Sequence, residues 1–421
     1  MLAGPELDLR AGAAWPVQAR LASLTGLRAL AALMVVGTHA AFATGTLTHG
    51  FIGLVFARLE VGVSIFFALS GFLLFRPWVL AAADGTVAPS ARVYARHRLR
   101  RVMPAYVATV LLAYAVYAFY STGPNPGQSL AGLIRHLTLT QIYTDNYLLT
   151  YLHRGLSQTW SLAVEAAFYA VLPLLAHLLL AVLCRDRWRP ARLLVALAGL
   201  AAISPLWLVV LNATDWLPNS AGMWLPAQLA AFAGGMAVAV LHVMGVRARA
   251  GLLVLAAIGL YLLVSTPLAG AITLAPVPLW QPPVKAMLYA AIAALVVAAP
   301  TLGGSGVFDR LLASRPMVWL GEISYEIFLL HVLVMAIVLS AVLGWPLFTG
   351  SMTGLYLLTL GVTIPLAWIL HRVTSGRRAT CRCQGSRGTH SPSSRGVSPC
   401  SRHTTPRRLR WCPSSYRIPR P

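Results

Sequence analysis

The chain is short of charge, of acidic residues and of cysteine, and each shortage closes off a class of protein. Only 10% of its 421 residues are charged, 58% are hydrophobic and the mean hydropathy is +0.71. Soluble globular domains carry about 25% charged residues, so a soluble fold is excluded. Four of the five cysteines (Cys381, Cys383, Cys400 and Cys412) fall near the C-terminus, in sequence without apolar periodicity. Cys381 and Cys383 are too close for a C-x2-C zinc knuckle and His390 does not complete one, so neither a disulfide framework nor a metal site is expected. The strand-like alternation of outer-membrane barrels is missing. So is the short apolar core of a cleaved signal peptide, because the first twenty residues hold Glu6, Asp8, Arg10 and Arg20. No internal repeat is visible, and there is no G-x-S-x-G elbow, Gly-rich phosphate loop or H-E-x-x-H zinc motif.

What the chain does have is a series of apolar runs near the ~20 residues that cross a bilayer as a helix. The pattern predicts an all-α polytopic membrane protein with about ten spans. They cover roughly 26–43, 61–79, 102–120, 162–183, 193–211, 223–243, 251–268, 286–300, 322–342 and 353–371, with Pro/Gly clusters between them. With the N-terminus cytoplasmic, the inner loops carry fourteen Arg, from Arg76 to Arg315. The outer loops carry only Arg58, Arg135, Arg154 and Lys285. The positive-inside rule therefore predicts that both termini are cytoplasmic. Two gaps are read as long loops, 76–101 inside and 121–160 outside.

The net charge of +22 is not a nucleic-acid signal. Residues 374–421 hold eleven Arg and no acidic residue, which is half of that total, and no aromatic-interleaved basic face accompanies them. The expected partner is the lipid bilayer rather than nucleic acid. The chain thus divides into an N-terminal cytoplasmic segment, 1–23, a ten-helix membrane domain, 24–373, and a basic tail, 374–421, expected to be disordered.

Ionisable groups in membrane spans are costly and mark candidate sites. GLRALAALMVVGTHA (26–40) carries Arg28 and His39. They lie eleven residues apart on one helical face, roughly 16 Å along the axis. Neutral His is suited to take a proton from a hydroxyl, although an interfacial His and a snorkelling Arg would look the same. ARVYARHRLRRVMPAY (91–106) is the densest basic cluster of the membrane domain. Arg98 and Arg101 share a face there, and Arg forks bind phosphate bidentately; a basic inner flank of the third span is the simpler reading. In VGVSIFFALSGFLLF (61–75), the small residues, Ser70 among them, suit tight helix packing. Glu165 begins the fourth span, where its simplest role is a surface anchor beside Trp160. Glu322, Ser324, Tyr325, Glu326 and His331 place many polar groups on the ninth span, which implies a cavity. His331 and Tyr325 share no close face, and His331 is read as packing or cavity lining.

Taken together, LTGLRALAALMVVGTHA (24–40), GVSIFFALSGFLL (62–74), RHRLRRVMPAY (96–106), TWSLAVEAAFY (159–169) and GEISYEIFLLH (321–331) resemble, in order, the motifs of the acyltransferase 3 family of bacterial integral-membrane O-acyltransferases. The resemblance implies a multi-pass enzyme of the bacterial inner membrane. Such an enzyme moves an acyl group, acetyl first among the candidates, from acyl-CoA to a hydroxyl of a carbohydrate or glycosylated acceptor. It needs acyl-CoA as co-substrate and no bound cofactor. By the resemblance, His39 and Arg28 are the catalytic pair and Arg98 and Arg101 bind acyl-CoA. Ser70, Glu165, Ser324, Tyr325 and His331 then belong to the cavity or the acceptor side. The rival class is a glycan or lipid transporter without acyl transfer.

The chain departs from the family pattern in places. Ser64 stands where Asp is frequent, and Ala166 and Ala167 stand where Glu-Gln is frequent, which alters acceptor contacts. No esterase-like domain is expected after the last span. The family's Glu-Arg-Pro ending is replaced by TSGRRA (374–379). The codons ACG AGC GGC CGG CGN GCN would spell those residues, and read two bases later they give Glu-Arg-Pro-Ala. A frameshift near Val373 is therefore one origin of the tail and a genuine basic tail the other; the coding DNA decides between them.

Overall fold

The computed structural model describes residues 17–120, 123–270, 278–304 and 306–375, without the side chains of residues 17–21. The predicted N-terminal segment and the tail lie almost wholly outside these residues. The elements are α1 Val17–Ala43, α2 Gly50–Ala57, α3 Val61–Asp84, α4 Ala91–Phe119, α5 Leu130–Leu137, α6 Tyr147–Thr150, α7 Trp160–Ala176, α8 Pro190–Ala213, α9 Leu225–Val243, α10 Ala250–Val264, α11 Gln281–Leu302, α12 Val307–Leu312, α13 Arg315–Glu322, α14 Ser324–Ile337 and α15 Met352–Thr374. π-helical turns extend α7 through Leu183 and α14 through Val342. Among the described residues the fold is all-helical.

Ten apolar helices occupy the ten predicted places, and nine of these segments are long and apolar enough to cross a bilayer. The tenth, α10, has only 15 residues, or about 22 Å of helix. It ends before Thr266-Pro267, because the residue before a proline disfavours the helical region. Its exposed end is covered by the buried Arg58, which donates from Nε to Val264 O (3.0 Å) and from Nη2 to the carbonyls of Ala269 and Gly270. A cation at a helix C-terminus satisfies carbonyls that lack partners within the helix.

The predicted inner long loop is largely helical, whereas the outer one remains mostly irregular with short helices in it. Residues 76–84 complete α3 and residues 91–101 open α4, leaving only 85–90 as a connection. Charge alone suggested a loop, but Ala, Leu and Arg are good helix formers and the basic run simply extends the span. The 121–160 region contains α5, α6 and a short turn at Ser157–Thr159. The predicted ninth span also divides: Glu322 closes α13, Ile323 breaks the helix (φ −101°, ψ 6°), and Ser324 starts α14.

The small residues of α3 seat it directly on its neighbours. A Cβ on Gly71 would lie 2.2 Å from Phe232 O of α9, and one on Gly235 of α9 would lie 1.9 Å from Ala68 O of α3. Gly62 meets Ala31 O of α1 in the same way, at 2.5 Å. Phe67, Phe232 and Phe168 stack beside this seam, with centroids 4.6 and 4.0 Å apart. The seam fixes α1, α3, α7 and α9 around the site. The helix directions also put nearly all the body's Arg residues at one end, where α1 starts and α3 finishes. We call this the basic end.

Candidate active site

A cavity of about 320 Å³ lies among α1, α3, α4, α7, α13 and α14 near the basic end. Arg28 reaches it from α1, and Arg98 and Arg101 from successive turns of α4. Their three-residue spacing puts both on the face of α4 turned to the cavity. Its apolar walls include Val63, Phe66, Phe67 and Phe328. Among the described residues, Arg98 Nε is buried without a hydrogen-bond partner, as are Arg76 Nε and the Tyr94 hydroxyl. An unsatisfied buried donor costs about 1–3 kcal/mol, so these groups are poised for an added acceptor.

Glu165 lines the same cavity, where its Oε1 accepts from the Ser70 hydroxyl and from Tyr169 Oη (2.6 Å). It is therefore no surface anchor: one turn into α7, the side chain points inward and is held by two hydroxyls. Ser70 spans the α3–α7 gap through this bond instead of acting only as a small packing residue. Tyr169 had a legible signal, since it stands four residues after Glu165 on one helical face. Ser324 and Tyr325 also line the cavity. The Ser324 hydroxyl donates to Gly321 O (2.9 Å), and Tyr325 Oη donates to Val102 O (3.0 Å), tying α14 to α4.

His39 and His331 do not line this cavity. They meet each other further along α1, towards the end opposite the basic one. His39 Nδ1 lies 2.8 Å from Val35 O and 3.3 Å from His331 Nε2. His331 Nδ1 lies 2.7 Å from Phe328 O. A carbonyl oxygen only accepts, so each Nδ1 carries its hydrogen. His331 Nε2 is then a lone pair that shares the one His39 Nδ1 hydrogen with Val35 O, the nearer acceptor. The same tautomer leaves His39 Nε2 as a lone pair, and no hydrogen bond among the described residues engages it. His39 is half-buried and His331 fully buried. The reading of His331 as mere lining missed this pairing, because 292 residues separate the two rings.

The segment between α4 and α7 adds a second histidine layer. His153 Nε2 bonds Gln128 Oε1 (2.7 Å), and Gln128 Nε2 donates to Tyr114 O (2.9 Å). His136 Nδ1 bonds Gly132 O (2.8 Å). Burial lowers the pKa of His136 to about 4, against the opposing pull of the Gly132 carbonyl. Burial, helped by the neighbouring His136, lowers that of His153 to about 3. Among the described residues, no group of three or more His, Cys, Asp or Glu is placed to hold a metal ion, and Cys184 is a buried free thiol.

Among the described residues, ten apolar helices with a cation-lined cavity between them define an integral-membrane protein. The chain belongs to the acyltransferase 3 family, whose acyltransferase-domain model matches residues 21–372. It is similar to the acyltransferase MdmB of Streptomyces mycarofaciens, with 32% identity over 44% of this chain and 46% of that protein. It is also similar to the peptidoglycan O-acetyltransferase OatA of Listeria monocytogenes, with 26% identity over 73% of this chain and 48% of that protein. A third relative, protein 2 in the picA locus of Rhizobium radiobacter, shows 34% identity over 27% of this chain and 56% of that protein. The chain spans about half the length of the curated relatives it matches. No solved structure shows a significant match.

Proposed function

We propose that this protein transfers an acyl group from acyl-CoA to a hydroxyl of a carbohydrate or glycosylated acceptor, from within the bacterial inner membrane and with both termini in the cytoplasm. The observation that carries the reading is the convergence of Arg28, Arg98 and Arg101 on one cavity, with the Arg98 Nε hydrogen buried and unclaimed. A phosphate-bearing donor supplies the acceptors that these forks need. The basic end faces the cytoplasm by the positive-inside rule, where acyl-CoA is found. Arg98 and Arg101 take its phosphates, and Arg28 stands where the thioester arm passes inward between apolar walls.

In this reading His39 is the general base. Its Nε2 removes the hydroxyl proton as the acceptor oxygen attacks the thioester carbonyl. The C–S bond then breaks, and the CoA thiolate leaves and takes up the proton, so one ester and one thiol replace one alcohol and one thioester. His331 is a positioning residue: it shares the His39 Nδ1 hydrogen with Val35 O and so steadies the ring in the tautomer that leaves Nε2 basic. Direct attack fits a site without an activated nucleophile. Ser70 already donates to Glu165 and has no base on its oxygen.

The relatives' names support acyl transfer, and that of the Listeria protein supports a cell-wall glycan as one class of acceptor. The test is to incubate purified protein with acetyl-CoA and cell-envelope glycan, follow release of the CoA thiol, and weigh the glycan by mass spectrometry. Thiol release that depends on glycan, with a 42 Da gain per modified hydroxyl, is expected. Protein that binds no acyl-CoA but moves a glycan across a vesicle membrane would establish the transporter class instead.

A further inference from the structure

A second cavity, of about 250 Å³, lies at the end opposite the basic one. It is built where helices running towards the basic end begin: Glu60 before α3, Trp160 at the start of α7, Gln228 in the first turn of α9, and Lys285 and Tyr289 early in α11. Val63 borders both this cavity and the first. The chain beside it is tied to the His39 end of α1. Thr38 Oγ1 donates to Ala57 O (3.0 Å), three residues before Glu60, and Gly62 packs against Val35 and Ala31 of α1.

The polar groups are arranged in an unusual way. Glu60 Oε1 takes Lys285 Nζ at 2.5 Å, Tyr289 Oη at 2.8 Å and Arg58 Nη1 at 3.9 Å. All three partners reach the same oxygen, and among the described residues none reaches Oε2. The Glu60 side chain is 42% exposed and that of Lys285 32%, although both lie against a membrane-embedded cavity. Gln228 donates from Nε2 to Gly222 O (3.2 Å), with no partner on Oε1. The site therefore offers two open acceptor oxygens, an ammonium and a half-buried indole, with its carboxylate charge already neutralised.

We infer that this second cavity is the acceptor subsite, and that it takes a neutral sugar ring. A sugar hydroxyl both donates and accepts, which suits carboxylate and amide oxygens beside an ammonium. The C–H face of the ring packs on an indole, which joins an apolar body to a polar edge. Lys285 and Glu60 cancel each other on the cavity wall, and the Arg58 guanidinium is taken up by the carbonyls of Val264, Ala269 and Gly270, so a charged ligand of either sign finds no unbalanced partner. The volume is close to the ~300 Å³ lower limit of small-molecule sites and fits one ring rather than a chain. The inference rests on the acyl-transfer reading for its purpose, and on the cavity alone for its ligand. The ring would enter from the face opposite acyl-CoA and present a hydroxyl towards His39 along the Val63 boundary.

The experiment uses the full chain in lipid nanodiscs, with methyl β-D-glucopyranoside, its 2-acetamido analogue and methyl β-D-glucuronide as probes for saturation-transfer NMR, and acetyl-CoA binding measured in parallel. A neutral glycoside should bind about tenfold or more tighter than the glucuronide. Trp160→Leu and Gln228→Leu should each weaken it about fivefold or more, while acetyl-CoA binding stays unchanged. Two variants on different helices guard against one that fails to fold. Absence of glycoside binding, preference for the glucuronide, or equal binding by both folded variants would overturn the assignment. Glycoside binding in the absence of any acetyl-CoA binding would remove the acyl-transfer reading and leave this site standing.

Discussion

The two ends of α1 carry one ionisable residue each, and their surroundings differ in kind. Around Arg28 the site offers donors in excess: Arg98 and Arg101 with it, and an orphaned guanidinium hydrogen. Its carboxylate, Glu165, is already engaged by two hydroxyls. Around His39 the hydrogen bonds close on themselves, from His39 to His331 and from His331 to a backbone carbonyl. The first end is completed only by something brought to it. The second is self-consistent and leaves one basic nitrogen. In the proposed reading, binding and proton transfer are separated along a single helix, and substitutions at the two ends should fail in different ways.

The sharpest break of this comparison is His39→Ala. General-base catalysis contributes about 10²–10⁴-fold, so kcat should fall by that factor while acetyl-CoA still binds in equilibrium dialysis. Near-wild-type turnover would return both residues of α1 to structural roles. At the other end, Arg98→Ala or Arg101→Ala should raise the KM for acetyl-CoA roughly tenfold to a hundredfold, since a charge-assisted bond is worth about 1.5–3 kcal/mol, and leave kcat nearly intact. An unchanged KM, with protein inserted in the wrong orientation, would leave these residues as topology signals only.

His331→Ala refines the His39 side. It removes one neutral hydrogen bond, worth about 0.5–1.5 kcal/mol, so kcat should drop roughly twofold to tenfold without a change in KM. The pH–rate profile should also shift, because His39 loses the neutral imidazole that shares its Nδ1 hydrogen, while Val35 O still holds the tautomer. A lowered protein yield with normal kinetics would mark His331 as packing alone.

The smallest effect is expected from acid. His136 and His153 have lowered folded pKa values, so they cost the native state nothing above about 6.5, and a penalty grows as pH falls below that until it levels off at about 4 and about 3. At pH 5 each costs about 2 kcal/mol relative to neutral pH. Amide protection factors in 130–156, corrected for the pH dependence of intrinsic exchange, should therefore fall between pH 7 and pH 5, while those in α3 stay constant. An equal fall in both would show that the histidine layer is not the sensitive element.

The spans were readable because apolar length is a local property, and α10 came out short only because Thr266-Pro267 stops it. Arg28, Ser70, Arg98, Arg101, Glu165, Ser324 and Tyr325 could be singled out as polar groups on apolar helices, and one cavity collects them. Their directions were not readable: Glu165 turns inward because Ser70, 95 residues away, meets it. The same limit hid His331 against His39 and Lys285 against Glu60, pairs set by which helices adjoin. The basic run misled in the opposite sense, since its charge suggested a loop where its residue types favour helix.

The backbone-to-backbone seam of α3 with α1 and α9 has a mechanical consequence. Helices whose carbonyls rest where a Cβ would otherwise sit cannot rock or slide past each other without first separating. A carrier that turns alternately to two sides needs such sliding, and here it would have to break the wall shared by both cavities. The arrangement suits a stationary partition with a compartment on either face. In the proposed acyl transfer only a small group would change hands across it, and neither the donor nor the acceptor would have to make the crossing.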